Sequence, residues 1–392
     1  VKKQLGSTHP HHEIERYLPL FREARLAQMG FPLAFDPERH PDFNAWRTQA
    51  RETLIEHLGP PPPRADFDPV IIAEEEREGY AARKILFNVS GFSRIAAYLL
   101  IPGGSGPFPA VLALHDHGAR FSIGKEKVIK PIEAGEDVLA DAKQWVAESY
   151  GGRFFGDELA RRGYVVLAID ALFWSERGQL EDLKSDGMTR KRERDARNKA
   201  AAEFHDQQKL ASNLFQMGMS WCGLITWDDI RSAEFLATLP EVNEERVAAM
   251  GLSVGAHRTW MLAAATDRIK AGAAICWMAT THSLQVPGNN QTGGDSSYSM
   301  ALPGLRNHLD YPDVASIACP KPMLFYNGLQ DSLFPVEGVE AAYAKMRKVW
   351  ENQAAREHFE AKLWDTPHQF SPAMQEEAFR WLHARLGQGM SR

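Results

Sequence analysis

The sequence predicts an α/β fold in which a mostly parallel central sheet is flanked by helices, with an N-terminal helical extension and lid-like insertions. Three observations lead there. Apolar runs at residues 110–115, 164–170, 271–277 and 322–327 have strand length and no polar alternation, as strands buried on both faces do. Segments that suit helices, at 157–162, 228–238, 259–265 and 338–350, fall among them, and alternation of strand with helix marks a parallel sheet. Residues 246–260 join a short apolar run to a helix-compatible segment through Gly251-Leu-Ser-Val-Gly255, a Gly-x-Ser-x-Gly turn.

Composition narrows the function. The 392 residues suffice for a substantial core, and the hydrophobic (44%) and charged (24%) fractions are those of an ordinary soluble chain. A formal net charge of −6 disfavours nucleic acid or an anionic membrane as the main partner. No apolar run approaches the roughly 20 residues a membrane helix needs. The N-terminus lacks the apolar centre of a signal peptide, so a cytoplasmic protein is expected, although the start at Val1 leaves a removed leader open. Cys222, Cys276 and Cys319 are too scattered for a disulfide framework or a zinc site and read as small buried hydrophobes.

Residues 1–65 form the helical extension: 12–29 and 43–58 space apolar residues at helical intervals, and four prolines at 60–63 end the segment. Residues 66–392 form the main domain. From Ile71 the period becomes that of strands, and 84–89 and 94–101, around Ser90-Gly-Phe-Ser93, predict an antiparallel hairpin. The strand at 110–115 runs directly into Asp116-His-Gly-Ala119, and Gly163 caps the short helix before strand 164–170. Residues 242–246 read as a polar connection between a helix and the elbow strand. A strand at 359–364 and a helix at 373–386 close the chain. Stretches at about 119–150, 171–220 and 280–309 exceed ordinary connections and read as irregular lids or binding loops. The mixed-sign charge run at 190–197 reads as a solvated helix face, and His9, His11 and His12 as a solvated terminus.

A serine hydroxyl is a poor nucleophile at neutral pH unless an oriented base takes its proton as it attacks. Ser253 stands on the sharp strand-to-helix turn, where Gly251 and Gly255 leave room and helix-start amides face the same spot. Reactive groups of a parallel sheet gather beyond the carboxyl ends of its strands. Asp331 follows the strand ending at Asn327, and His368 follows the strand ending at Trp364. In this order His368 would take the Ser253 proton and return it to the leaving group, while Asp331 fixes its tautomer and stabilises its cation. His358 precedes its strand, His257 lies on the nucleophile's own helix and His308 falls late in the third insertion, so each is poorly placed as base; Asp365 is a further rival. The oxyanion needs two backbone donors, assigned to the amides of Val254 and His117, with Asp116 next in line. Trp174, Trp277 and Phe334 lie near strand ends as candidate pocket walls, with core packing as the alternative. His115, Asp116 and His117 could chelate, yet no partner carboxylate motif and no His-Glu-x-x-His helix stands out, so neither metal nor cofactor is expected.

As an ordered set these residues resemble a known superfamily. Leu114-His-Asp-His-Gly118, Gly163-Tyr-Val-Val-Leu-Ala-Ile-Asp170 with Glu176-Arg-Gly178, Gly251-Leu-Ser-Val-Gly255, Asp310-Tyr-Pro-Asp313, Gly328-Leu-Gln-Asp331 and His368 are similar to the α/β-hydrolases. The chain looks most like the branch that groups dienelactone-hydrolase-like with acetyl-xylan-esterase-like proteins. The resemblance runs from about residue 70 to the end, the helical extension also occurs in that branch, and it implies the same roles for Ser253, Asp331 and His368. Dienelactone hydrolases proper use a cysteine nucleophile; residue 253 is serine, which favours an ester. The expectation is a serine-dependent carboxylic-ester hydrolase acting through an acyl-enzyme on a small or medium ester, with a homo-oligomer left open. Amide, peptide or carbon–carbon bond hydrolysis on the same residues is the alternative, as is a hydrolase-fold protein that binds without turnover.

Overall fold

The structure, a computed structural model, describes residues 18–178, 199–293 and 296–386. Its strands are β1 (Val70–Arg77), β2 (Tyr80–Ser90), β3 (Ser93–Pro102), β4 (Phe108–Leu114), β5 (Val165–Ile169), β6 (Val242–Leu252), β7 (Ala271–Ile275), β8 (Met323–Gly328) and β9 (Phe359–Trp364). They form one sheet in the order β1-β2-β3-β5-β4-β6-β7-β8-β9. The pairings among β1, β2, β3 and β5 are antiparallel, and those from β5 through β4 to β9 are parallel.

Every residue of β4, β5, β7 and β8 is buried, which explains their unbroken apolar sequences. Alternate residues of β4 serve the two faces. Ala110, Leu112 and Leu114 pack with residues of α2 (Phe43–His57), α6 (Trp221–Thr238), α7 (Val254–Ala265) and α8 (Val336–Asn352). Val111 and Ala113 pack with residues of α3 (Glu136–Ser149), α4 (Phe155–Arg161) and α9 (Pro372–Leu386).

The extension comprises α1 (Leu18–Ala27) and α2. Asp42 caps α2 by accepting the amides of Asn44 and Ala45, and the helix buries Phe43, Trp46, Ala50 and Leu54. Arg51 ties it to the main body, donating to the Ala264 carbonyl at 2.8 Å and to Asp267 at 2.9 Å.

Several predicted boundaries change. The hairpin at 84–101 is longer at both ends, and a separate strand, β1, pairs along β2. Residues 242–246 are not a connection: β6 begins at Val242, which pairs with Phe108 while Asn243, Glu244 and Glu245 face outward. The stretch 119–150 is not irregular throughout, because α3 fills its second half, and 171–220 contains α5 (Lys199–Gln216). In the third, 280–309, the described residues form short helices at Thr281–Leu284, Asn290–Gly293, Ser297–Ser299 and Leu305–Asn307. The charge run at 190–197, His9, His11, His12 and the start of the 12–29 helix lie outside the described residues.

Candidate active site

The chain leaves β4 for β5 on one side, and β6 occupies the other, so the order reverses beside β4 and a crevice opens beyond the strand ends. Leu114, the last residue of β4, pairs with Gly251. Two residues later Ser253 takes φ 57° and ψ −121°, a conformation costly for a side-chain-bearing residue, directly before α7. Its amide donates to the Ile275 carbonyl at 2.8 Å, which anchors the strained turn to β7. A Cβ on Gly251 would stand 2.4 Å from the Leu114 carbonyl oxygen, and one on Gly255 only 2.0 Å. Neither glycine can carry a side chain while the elbow stays against β4.

Asp331 and His368 arrive from β8 and β9, whose parallel pairing extends to Gly328 opposite Trp364. His368 Nδ1 lies 2.6 Å from Asp331 Oδ2, and Asp331 Oδ1 accepts the Leu333 amide at 3.0 Å. An ionised carboxylate only accepts, so Nδ1 carries the proton and Nε2 is left with its lone pair. Phe334 stacks on the imidazole, centroids 6.1 Å apart. Ser253 and His368 line one cavity of about 470 Å³, together with His117, Trp277, Phe334 and Gln207.

Trp277 and Phe334 both line this cavity, with centroids 5.4 Å apart. Trp174 does not: it stands one layer back, fully buried, its indole nitrogen donating to the His117 carbonyl at 3.3 Å. The rival residues are elsewhere. His257 packs between Trp260 and Trp277, and burial pushes it down to about 3. His358 meets the Pro320 carbonyl at 2.8 Å, His308 packs against His57, and Asp365 accepts from Gln330.

The turn after β4 is tightly bonded. His115 Nε2 accepts the Ala171 amide at 3.0 Å and His117 Nδ1 accepts the Ala119 amide at 3.1 Å. Burial, then nearby cations, hold His115 well below its usual value; His117 is pushed down to about 3 by burial and Lys127. Each ring thus spends its free lone pair on a backbone amide, and chelation by His-x-His would require breaking those bonds. Asp116 Oδ2 accepts from Tyr150 at 2.6 Å and from Trp145 at 3.1 Å. Glu126, Asp170 and Glu176 gather like metal ligands, but the Lys125 ammonium lies 2.7–2.8 Å from all three. Cys276 approaches Asp331 and His368; burial, then the Asp331 charge, push its thiol up and keep it protonated. Burial also pushes Cys222 and Cys319 up to about 12.

The sequence did not reveal Lys125 and Lys127, both completely buried. Their local run, Ile123-Gly-Lys-Glu-Lys-Val-Ile129, held the signal: charges enclosed by aliphatic residues.

A parallel sheet with a strained serine elbow beside its order reversal, and an acid and a histidine beyond the ends of β8 and β9, defines the α/β-hydrolase class. The chain belongs to the abhydrolase family, whose model matches residues 22–392. It is 27% identical over 341 residues to YtaP of Bacillus subtilis (strain 168), provisionally named a hydrolase, spanning 87% of this chain and 100% of YtaP. Among solved structures, a Bacteroides fragilis NCTC 9343 protein provisionally named an acetyl xylan esterase superposes with TM-score 0.66 at 18% identity, covering 92% of this chain and 85% of its own. A glucuronoyl esterase from Solibacter usitatus gives 0.61 at 12% identity, with 88% and 94% covered. At these identities the superpositions establish the fold. No described helix is long and apolar enough to cross a membrane.

Proposed function

We propose that the protein is a serine-dependent carboxylic-ester hydrolase acting through an acyl-enzyme on a small or medium ester. The observation that carries this reading is the 2.6 Å bond between His368 Nδ1 and Asp331 at the rim of the cavity that holds Ser253. Ser253 attacks the ester carbonyl, and His368 Nε2 takes its proton. The amides of Val254 and His117 receive the developing oxyanion. His368 then protonates the departing alcohol, and water, deprotonated by the same imidazole, releases the acid. Asp331 holds the ring and offsets its positive charge. Trp277 and Phe334 wall the acyl or alcohol side. The names carried by the structural neighbours, acetyl xylan and glucuronoyl esterases, agree with ester chemistry. A cytoplasmic setting belongs to the same reading, supported by three cysteines present as buried free thiols.

A fluorophosphonate probe should modify Ser253 in folded protein and leave Ser253→Ala untouched. His368→Ala should lower kcat for a short-chain p-nitrophenyl ester by about ten-thousand-fold or more. Absence of labelling in folded wild-type protein would instead support a binding protein on this fold.

A further inference from the structure

The turn after β4 is gripped from behind by a lysine that the reaction above does not employ. Lys127 Nζ donates to the Asp116 carbonyl at 3.1 Å and the His117 carbonyl at 2.8 Å, and lies 3.7 Å from Asp116 Oδ1. Across a trans peptide the carbonyl and the following N–H point in opposite directions. Gripping the Asp116 oxygen therefore turns the His117 N–H away from Lys127, and gripping the His117 oxygen does the same for the Gly118 N–H. Among the described residues no acceptor takes the amides of His117, Gly118 or Val254, and His117 and Gly118 line the cavity with Ser253. A cation against a peptide oxygen also polarises that amide and makes its N–H a stronger donor.

We infer that Lys127 is a positioning residue for the oxyanion site, aiming and polarising the His117 amide through the carbonyl on its other side. This rests on the hydrolase reading given above. The surroundings agree: burial outweighs the attraction of the facing carboxylates and sets Lys127 below the usual lysine value. Those carboxylates are Asp116 after β4, Glu126 on its own turn, Asp141 on α3 and Asp170 after β5. His115 and His117, also facing it, are disfavoured as cations by its charge. The nearest carboxylate oxygen stands 3.7 Å away, beyond hydrogen-bond reach, so the ammonium's direct partners are the two peptide oxygens. Deprotonation removes that charge, and kcat should fall as pH rises through the lowered lysine pKa.

The test is Lys127→Met in the full chain with a short-chain p-nitrophenyl ester. The expected result is a kcat lower by about a hundredfold, the low end for loss of an oxyanion donor, with KM within about twofold and the alkaline fall in kcat abolished. A folded variant with kcat near wild type and the same alkaline limb would overturn the inference. Should Lys127→Met not fold, Lys127→Gln takes its place under the same criteria. Should both fail, Tyr150→Phe, which removes a bond from the carboxylate facing Lys127, decides: an alkaline limb moved to higher pH supports the inference, and a limb that stays in place overturns it. Fluorophosphonate labelling of wild-type Ser253 separates the two ideas. Labelled wild type with an unaffected Lys127→Met refutes only the role of Lys127; unlabelled wild type refutes the hydrolase reading beneath it.

Discussion

Lys125 and Lys127 share one helical turn, are both completely buried, and have opposite surroundings. Lys125 Nζ meets Asp170 and Glu176 at 2.7 Å and Glu126 at 2.8 Å, while its amide donates to Asp170 at 2.7 Å. Burial pushes this ammonium down, but Asp170 and Glu126, then Tyr98 and Glu176, outweigh it and hold it well above the usual range. Lys127 has two carbonyls, one carboxylate at 3.7 Å and the Trp145 ring at 5.7 Å, and burial prevails. A fully countered charge is a brace, here joining the turn to the end of β5. A partly countered one leaves field over for neighbouring dipoles. One turn thus serves the fold at its first residue and the site at its third.

The largest effect should come from Lys125→Met, which leaves Glu126 and Asp170 buried without their cation. Removing one partner of a buried ion cluster costs about 3–5 kcal/mol, to be read from urea unfolding. A loss below about 1 kcal/mol would erase the distinction between the two lysines. Gly118→Ala comes next. At φ 60° its Cβ would meet Trp145 at 2.6 Å and the Asp116 carboxylate at 2.7 Å, so those side chains or the turn itself must shift. The expected cost is about 1–3 kcal/mol with at least about tenfold in kcat; unchanged kcat would mean that the turn's shape is irrelevant to rate. Tyr150→Phe removes the 2.6 Å bond to Asp116, leaves Oδ2 with Trp145 at 3.1 Å and loosens that carboxylate toward Lys127. A closer carboxylate raises a lysine pKa, so the alkaline limb should shift to higher pH, at about 1–3 kcal/mol of stability. A limb that stays in place would detach Lys127 from the pH profile. The smallest effect belongs to Lys84→Met, which breaks a 2.6 Å pair between a side chain 16% exposed and Glu176, which is 45% exposed and keeps Lys125 as a partner. With Glu176 still held by Lys125, the loss should be about 1 kcal/mol, the upper end for exposed pairs, and kcat should not change.

Where the sequence was readable, a local rule and the tertiary environment agreed. The runs that became β4, β5, β7 and β8 are apolar throughout because both faces are covered, and the elbow glycines are forced by contact with Leu114. Asp331 and His368 could be placed because strand ends are recognisable. The misplaced features were decided at longer range. The polar start of β6 forms strand because Phe108 pairs with Val242, which no local pattern in Val242-Asn-Glu-Glu announces. Trp174 was assigned by its distance from a strand end, but positive φ at Phe173 and Ser175 folds the segment back, so the indole packs behind His117. The two lysines were invisible because charge ordinarily marks surface, and only the closed structure supplies the groups that make their burial tolerable.

One carbonyl oxygen, that of Leu114, touches both elbow glycines, so a single contact between adjacent strands sets how far the serine stands from the turn that would receive the oxyanion. The segments that shape the cavity's outer walls, from α5 and residues 280–309, take no part in that contact. Grafting different loops at these places should therefore change which esters enter while the distance between attacking oxygen and receiving amides survives, making this chain a frame on which selectivity can be redrawn apart from chemistry.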